Sequence, residues 1–418
     1  MRPFPRVLFL FGLLAGPAAA QDPPSEPVYA ETPEALRPYR GLGGSYWQYF
    51  TEATPFRGPR KEVAPHQCAL PRIGLIAPTG EGPDREIGLE LQRGVRLAFE
   101  EANARGGFRQ QTPYEVIERQ DAGLWGASSN TMVELAYQEQ VVAVIGSVDA
   151  TSTHVALRAT LKAEVPIVNT ACSDPTLTET GIPWLLRTYP DDRQYGYRLA
   201  RFLFEERGHQ RVAVLRSNDK YGRMGIGEFT DAARRLGRPV VVEQRYAPGA
   251  TDFSDQLEVI RKAKVEALVL WSNAEDGAHI IRAVRAAGMG QALYGSERLV
   301  SPSFLEEAGG DAEGVIAPTP LEPDRQDPAW LEFSERYQAR FSRPPGFFAA
   351  FSYDGARLLI DVIEQVGLNR ARVRDELAKR TEYHGVAGEL RFDPTHNNLG
   401  QIHIVEVRGG RHVKIAGP

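Results

Sequence analysis

The chain has 418 residues, enough for two globular domains beyond an export signal. Apolar residues make up 42% and charged residues 25%, an ordinary soluble balance that can fill a sizeable core. A formal charge of −5 leaves no electrostatic footprint for DNA, RNA or an anionic membrane.

The N-terminus reads first. Met1 to Arg6 carries two arginines, Val7 to Gly16 is an apolar run, and Pro17 and Ala18-Ala19-Ala20 precede Gln21. This is the pattern of a secretory signal at residues 1–20, with cleavage expected after Ala20. Losing Arg2 and Arg6 takes the charge from −5 to −7. The apolar run is too short to span a bilayer, and no later segment is apolar enough. No cysteine follows the run, so no lipid anchor is expected. Residues 21–70 hold eight prolines and seven aromatics. The prolines argue against long helices or central strands, and the aromatics against a plain disordered tail. An extension lying across a lobe fits best, and a partner-docking segment is the alternative.

From Arg72 the pattern becomes regular. RIGLIAP is a buried strand. A helix follows with the stripe Ile87, Leu91, Val95, Ala98 and Ala102, ending at Gly106-Gly107. Strands are then expected at 114–121, 141–147, 166–171 and 184–188, with helices at 127–139 and 152–163. A second series has helices at 192–207, 221–236, 253–263 and 275–288, and strands at 211–217, 239–246, 267–272 and 292–296. Short apolar strands alternating with amphipathic helices make βαβ units and parallel sheets. Two such series give an α/β fold of two doubly wound parallel-sheet lobes. The remainder has a strand at 313–319, helices at 328–342, 348–366 and near 370–380, and strands at 388–393 and 401–407. Cys68 precedes the first strand and Cys172 follows the end of another. These are opposite ends of a parallel sheet, beyond the limit of about 7 Å for a bridge, so two free thiols are expected.

Several segments carry a family resemblance. They are IGLIAPTGE, EEANARGG, VVAVIGSVDATST, PIVNTACSDPTLT, LLRTYPDDRQYG, SNDKYGRMG, YGSE, FSYDGARLL and GELRFDPTHNN. In this order and spacing the chain from about 71 to 418 resembles the type I periplasmic binding proteins, in particular the leucine/isoleucine/valine-binding branch of ABC transporters. The resemblance implies two lobes: 71–189 with 322–394, and 190–321 with 395–418. Three segments would cross between them, near Thr188–Asp191, Thr319–Asp324 and Asp393–Gly400. It implies a ligand held in the cleft while the lobes hinge shut. Open α/β sheets bind ligands at the carboxyl ends of their strands, which agrees.

The resemblance also implies site residues. Thr151, Ser152 and Thr153 open a helix whose free N–H groups attract a carboxylate, with Ser152 or Thr151 as its cap. Ala150 stands where relatives often have serine, leaving only its N–H. The Ala171 carbonyl and Ser173 would meet the ligand's ammonium and carboxylate, and Asp174 would cap the next helix. Glu297 would pair with an α-ammonium. Tyr221 and Asn273 come from the second lobe. Trp271 reads as core or cleft, and Phe347 or Phe348 could touch the ligand side chain. Ile87 stands where some relatives have an aromatic and Ala274 lies near another such position, so the side-chain pocket differs from that of a leucine binder.

No G-x-S-x-G elbow, Walker loop, strand-borne G-x-G-x-x-G or H-E-x-x-H occurs, so no catalysis, cofactor or metal is expected. His396 and His403 flank a loop and are expected exposed. The expectation is a monomeric periplasmic binding protein for an amino acid or similar small polar ligand, delivering to an ABC transporter permease. A different small metabolite, such as an aromatic or aliphatic carboxylate or an amide, or a role as a sensor ectodomain, are the alternatives.

Overall fold

A computed structural model describes Arg37 and residues 67–418 apart from Ala122 and Leu124. The expected signal, its cleavage site and all but the last residues of the extension lie outside the described residues. No helix among the described residues is long and apolar enough to cross a membrane.

The first lobe is built on five parallel strands: β1 (Arg72–Ala77), β2 (Glu115–Gln120), β3 (Ala143–Ile145), β4 (Ile167–Asn169) and β5 (Leu185–Arg187). Their order is β2-β1-β3-β4-β5. The inner strands are short continuous apolar runs because helices cover both faces. The helix Phe347–Val366 is buried along most of its length and packs on the helix Arg85–Ala104. Gly94 makes that contact close: a Cβ there would lie 2.3 Å from the Ala349 carbonyl oxygen.

The second lobe holds β6 (Val212–Ser217), β7 (Val242–Tyr246), β8 (Ala267–Trp271), β9 (Ala292–Gly295) and β10 (Ile316–Thr319), with β13 (His403–Arg408) and β14 (Arg411–Ala416) at one edge. Their order is β14-β13-β10-β9-β8-β6-β7. The strands β6 to β10 are parallel, as expected, and two antiparallel strands are added at one edge. β13 runs antiparallel to β10 and to β14, because the chain enters β13 from the opposite end and turns straight back at Gly409-Gly410. β11 (Glu382–Gly385) and β12 (Gly388–Arg391) form a separate hairpin. Two expected helices, 127–139 and 192–207, reach within a residue of their expected ends, but each finishes in a π turn, at Glu134–Gln138 and Phe202–Glu206. His403 is 8% exposed on β13, against the expectation, since that strand is paired on both sides, with β10 and β14.

The chain passes from one sheet to the other after β5, after β10 and between β12 and β13. Buried polar groups tie the first and last of these passages together. Arg187 Nε donates to Asn397 Oδ1 (2.8 Å), and its Nη2 to Asp191 Oδ2 (3.1 Å). Asn397 Nδ2 donates to the same Asp191 oxygen (3.0 Å), and Asn398 Nδ2 to the Thr188 carbonyl (2.7 Å). Both cysteines are free and buried.

Candidate functional site

The carboxyl ends of strands from both sheets converge on one hollow of about 520 Å³, counted to its open mouth. Sequence explains why helix starts gather there. Three βα turns end in a short polar residue that caps the next helix. Asp149 Oδ1 accepts from Ser152 N (2.7 Å), Asp219 Oδ1 from Gly222 N (2.7 Å), and Asn273 Oδ1 from Asp276 N (2.8 Å). All three caps line the hollow.

The expected residues are distributed unevenly around this wall. Ala150, Ser173, Tyr221 and Asn273 line it. Thr151 faces solvent and is not a cap: Asp149 takes that role and occupies the Ser152 N–H that a ligand carboxylate would use. Ala171 is buried behind the lining, next to Cys172, which does line it. Phe348 is core, stacked on Tyr189 with centroids 5.2 Å apart, because its helix turns that face into the first lobe. Trp271 is fully buried under Tyr221, with ring centroids 6.4 Å apart.

Glu297 sits one bond behind the lining. Tyr221 Oη donates to its Oε2 at 2.9 Å, and only 1% of the residue is exposed. Burial pushes its carboxyl above the ordinary range, against the pull of Arg298 and the tyrosine bond.

Sequence reasoning missed the ionic frame of the hollow. Arg298 Nη1 in the second lobe donates to Asp84 Oδ1 in the first at 2.6 Å, and its guanidinium lies 3.6 Å from the Tyr221 ring centre. Lys220 Nζ in the second lobe reaches Asp174 Oδ2 in the first at 2.8 Å. His154 Nε2 stands 3.2 Å from that oxygen, and Asp174 Oδ1 accepts from Thr176 N (2.9 Å), close to the expected cap. Burial opposes charging of Asp174, but His154 and Lys220 outweigh it and hold its carboxyl well below the usual range. Asp192, opening the helix Asp192–Arg201, is the last missed residue. It lines the hollow, is 1% exposed, and faces the Ser173 hydroxyl without a well-formed hydrogen bond to either carboxylate oxygen. The only cue was the doubled Asp191-Asp192 at a helix start, where one residue suffices for the cap.

Two doubly wound lobes, three chain passages and a polar hollow at the strand ends define a hinged two-lobe binding protein of type I. A family described as periplasmic binding protein matches residues 71–411, and the chain belongs to it. It is 25% identical to the Leu/Ile/Val-binding protein of Escherichia coli K12 over 315 residues, 75% of this chain and 84% of that relative. It is 24% identical to a leucine-, isoleucine-, valine-, threonine- and alanine-binding protein of Pseudomonas aeruginosa, covering 77% of this chain and 85% of that one. A branched-chain amino acid transporter substrate-binding protein of Streptococcus pneumoniae, solved with isoleucine, shares the fold at a TM-score of 0.77 and 21% identity, over 84% of this chain and all of that one. A solute-binding protein of R. palustris solved with benzoate does so at 0.76 and 18%, over 84% and 96%.

Proposed function

We propose that the chain is the substrate-binding component of an ABC transporter, exported to the periplasm, where it traps an amino acid or similar ammonium-bearing ligand as a monomer and hands it to a membrane permease. The lobes are 71–189 with 322–394 and 190–321 with 395–418. The signal is residues 1–20. The names of its relatives support a binding role, and that of a structural neighbour, a transporter substrate-binding protein, supports the transport role. No part of the reading calls for catalysis.

One observation carries the ligand assignment: a buried carboxylate, Glu297, held by Tyr221 at the edge of the hollow. A ligand ammonium reaching that carboxylate gains a charge-assisted hydrogen bond in a closed cleft, about 1.5–3 kcal/mol. Closure then follows from the ligand's better affinity for the shut state. Relatives solved with benzoate and 4-hydroxybenzoate keep a carboxylate ligand in view. The acid-lined wall of this chain speaks against an anion.

Titration calorimetry on refolded, ligand-stripped protein tests the reading. At least one L-amino acid or small amine is expected to bind at micromolar or tighter affinity. Glu297→Gln is expected to weaken it about 10- to 150-fold. A simple carboxylate as the tightest ligand, indifferent to that substitution, removes the ammonium assignment.

A further inference from the structure

Charge along the wall of the hollow does not balance. Two cations, Lys220 and Arg298, face five carboxylates. Both cations are already engaged across the cleft, with Asp174 and Asp84. Asp149 and Asp219 are satisfied by helix-start amides. Asp192 remains. It is buried, neither oxygen makes a well-formed hydrogen bond, and the Ser173 hydroxyl beside it is the one group favouring its charged form among those acting most strongly on it, with no cation among them. Glu297 stands close enough to repel it. Two buried acids, Asp192 with no cation beside it and Glu297 held by Tyr221, therefore repel one another at the hollow, which costs free energy unless a cation arrives. The opposite side of the usual zwitterion trap is weakened at the same time. Position 150 is alanine, and the Ser152 amide is taken by Asp149.

We infer that the ligand carries net positive charge, with two cationic groups, one placed at Glu297 and the second at Asp192. The chemistry is that of a basic amino acid or a short diamine, not of a neutral branched-chain zwitterion. This rests on the binding reading above and narrows it. Asp192 is then a specificity-determining residue supplied by the start of the helix Asp192–Arg201. An ammonium or guanidinium there would fill the bonds its oxygens lack.

The test is a calorimetric panel on ligand-stripped protein: L-arginine, L-lysine, agmatine and putrescine against L-leucine, L-isoleucine and benzoate. At least one ligand with two cationic groups, basic amino acid or diamine, is expected to bind about tenfold or more tightly than every neutral zwitterion and benzoate. Basic amino acids ahead of the diamines would mean that the ligand's carboxylate is also held; diamines ahead would mean that it is not. Asp192→Asn is expected to weaken the preferred two-cation ligand about tenfold or more, and a single-ammonium ligand by far less. Far-UV circular dichroism of the variant separates this from misfolding, and the wild-type panel decides even if the variant fails to fold. Leucine or isoleucine binding as well as the two-cation ligands overturns the inference and leaves the amino-acid reading standing. Silence from every amino acid and amine overturns both.

Discussion

Asp191 and Asp192 are neighbours in sequence with opposite electrostatic fates. Burial resists charge on Asp191, but Arg193 and Arg187 outweigh it and hold its carboxyl below the ordinary range. Asp192 has no such cation. Burial and then repulsion from Glu297 push its carboxyl well up. Nothing local distinguishes the two. Asn397, which bonds Asp191, lies 206 positions away in the chain, so no window of sequence could have shown the pairing. Asp191→Asn leaves two buried guanidinium groups short of their counter-charge and is expected to cost about 3–5 kcal/mol in urea denaturation. The sign with pH follows from the lowered native pKa. The ion-pair contribution is complete above the unfolded carboxylate pKa of about 4 and fades as pH falls through the native one. The gap between wild type and variant should therefore hold steady from neutral pH down to about 5 and narrow below about 4. A gap that does not change with acid would show that the charge of Asp191 contributes nothing to folding.

At the scale of elements, legibility tracked burial. β1, β6 and β8 hold the unbroken apolar stretches Ile73–Ala77, Val212–Leu215 and Ala267–Trp271 and were readable because helices cover both faces of the parallel strands. β11 and β14 were not read: Glu382–Gly385 and Arg411–Ala416 hold polar residues and leave much of their length open to solvent. Edge strands of this kind carry too little apolar signal to separate from loop. The capping residues of the hollow lay at readable strand ends, but the identity of the cap after β3 went to the wrong residue. Asp149, Thr151 and Ser152 can each serve by residue type, and only the backbone's extended turn at Asp149 decides. Helix-to-sheet spacing in the second lobe depends on a glycine whose reason sequence did not show. A Cβ at Gly225 would lie 1.9 Å from Trp271 Nε1, and that indole is fully buried. Gly225→Ala is expected to destabilise by about 1–3 kcal/mol through overpacking, read as a lower midpoint in thermal melts. It should also reduce ligand affinity, since Trp271 supports Tyr221 and Tyr221 holds Glu297. An unchanged melt would mean that the indole can move aside freely.

Across the whole molecule the lobes are joined by ion pairs between their own side chains. Arg298 with Asp84 and Lys220 with Asp174 each join one lobe to the other. A ligand shifts closure only by its differential affinity for the shut state, so any contact that already favours that state lowers the shift required of the ligand. These pairs are partly shielded from solvent: Arg298 shows 8% side-chain exposure and Asp84 23%. They should outweigh ordinary surface pairs, which contribute about 0–1 kcal/mol. Asp84→Asn keeps the shape of the side chain and removes the counter-charge of Arg298. The unliganded variant should populate an open form more heavily, seen as a larger radius of gyration in small-angle X-ray scattering. Saturating ligand should bring wild type and variant to the same compact value, because the bound state rewards closure in both. Affinity should fall in proportion to the open fraction, since binding must first recover the closed form. Equal radii without ligand, at low salt where such pairs are strongest, would remove the ionic contacts from the closing mechanism and leave ligand contacts alone to drive it.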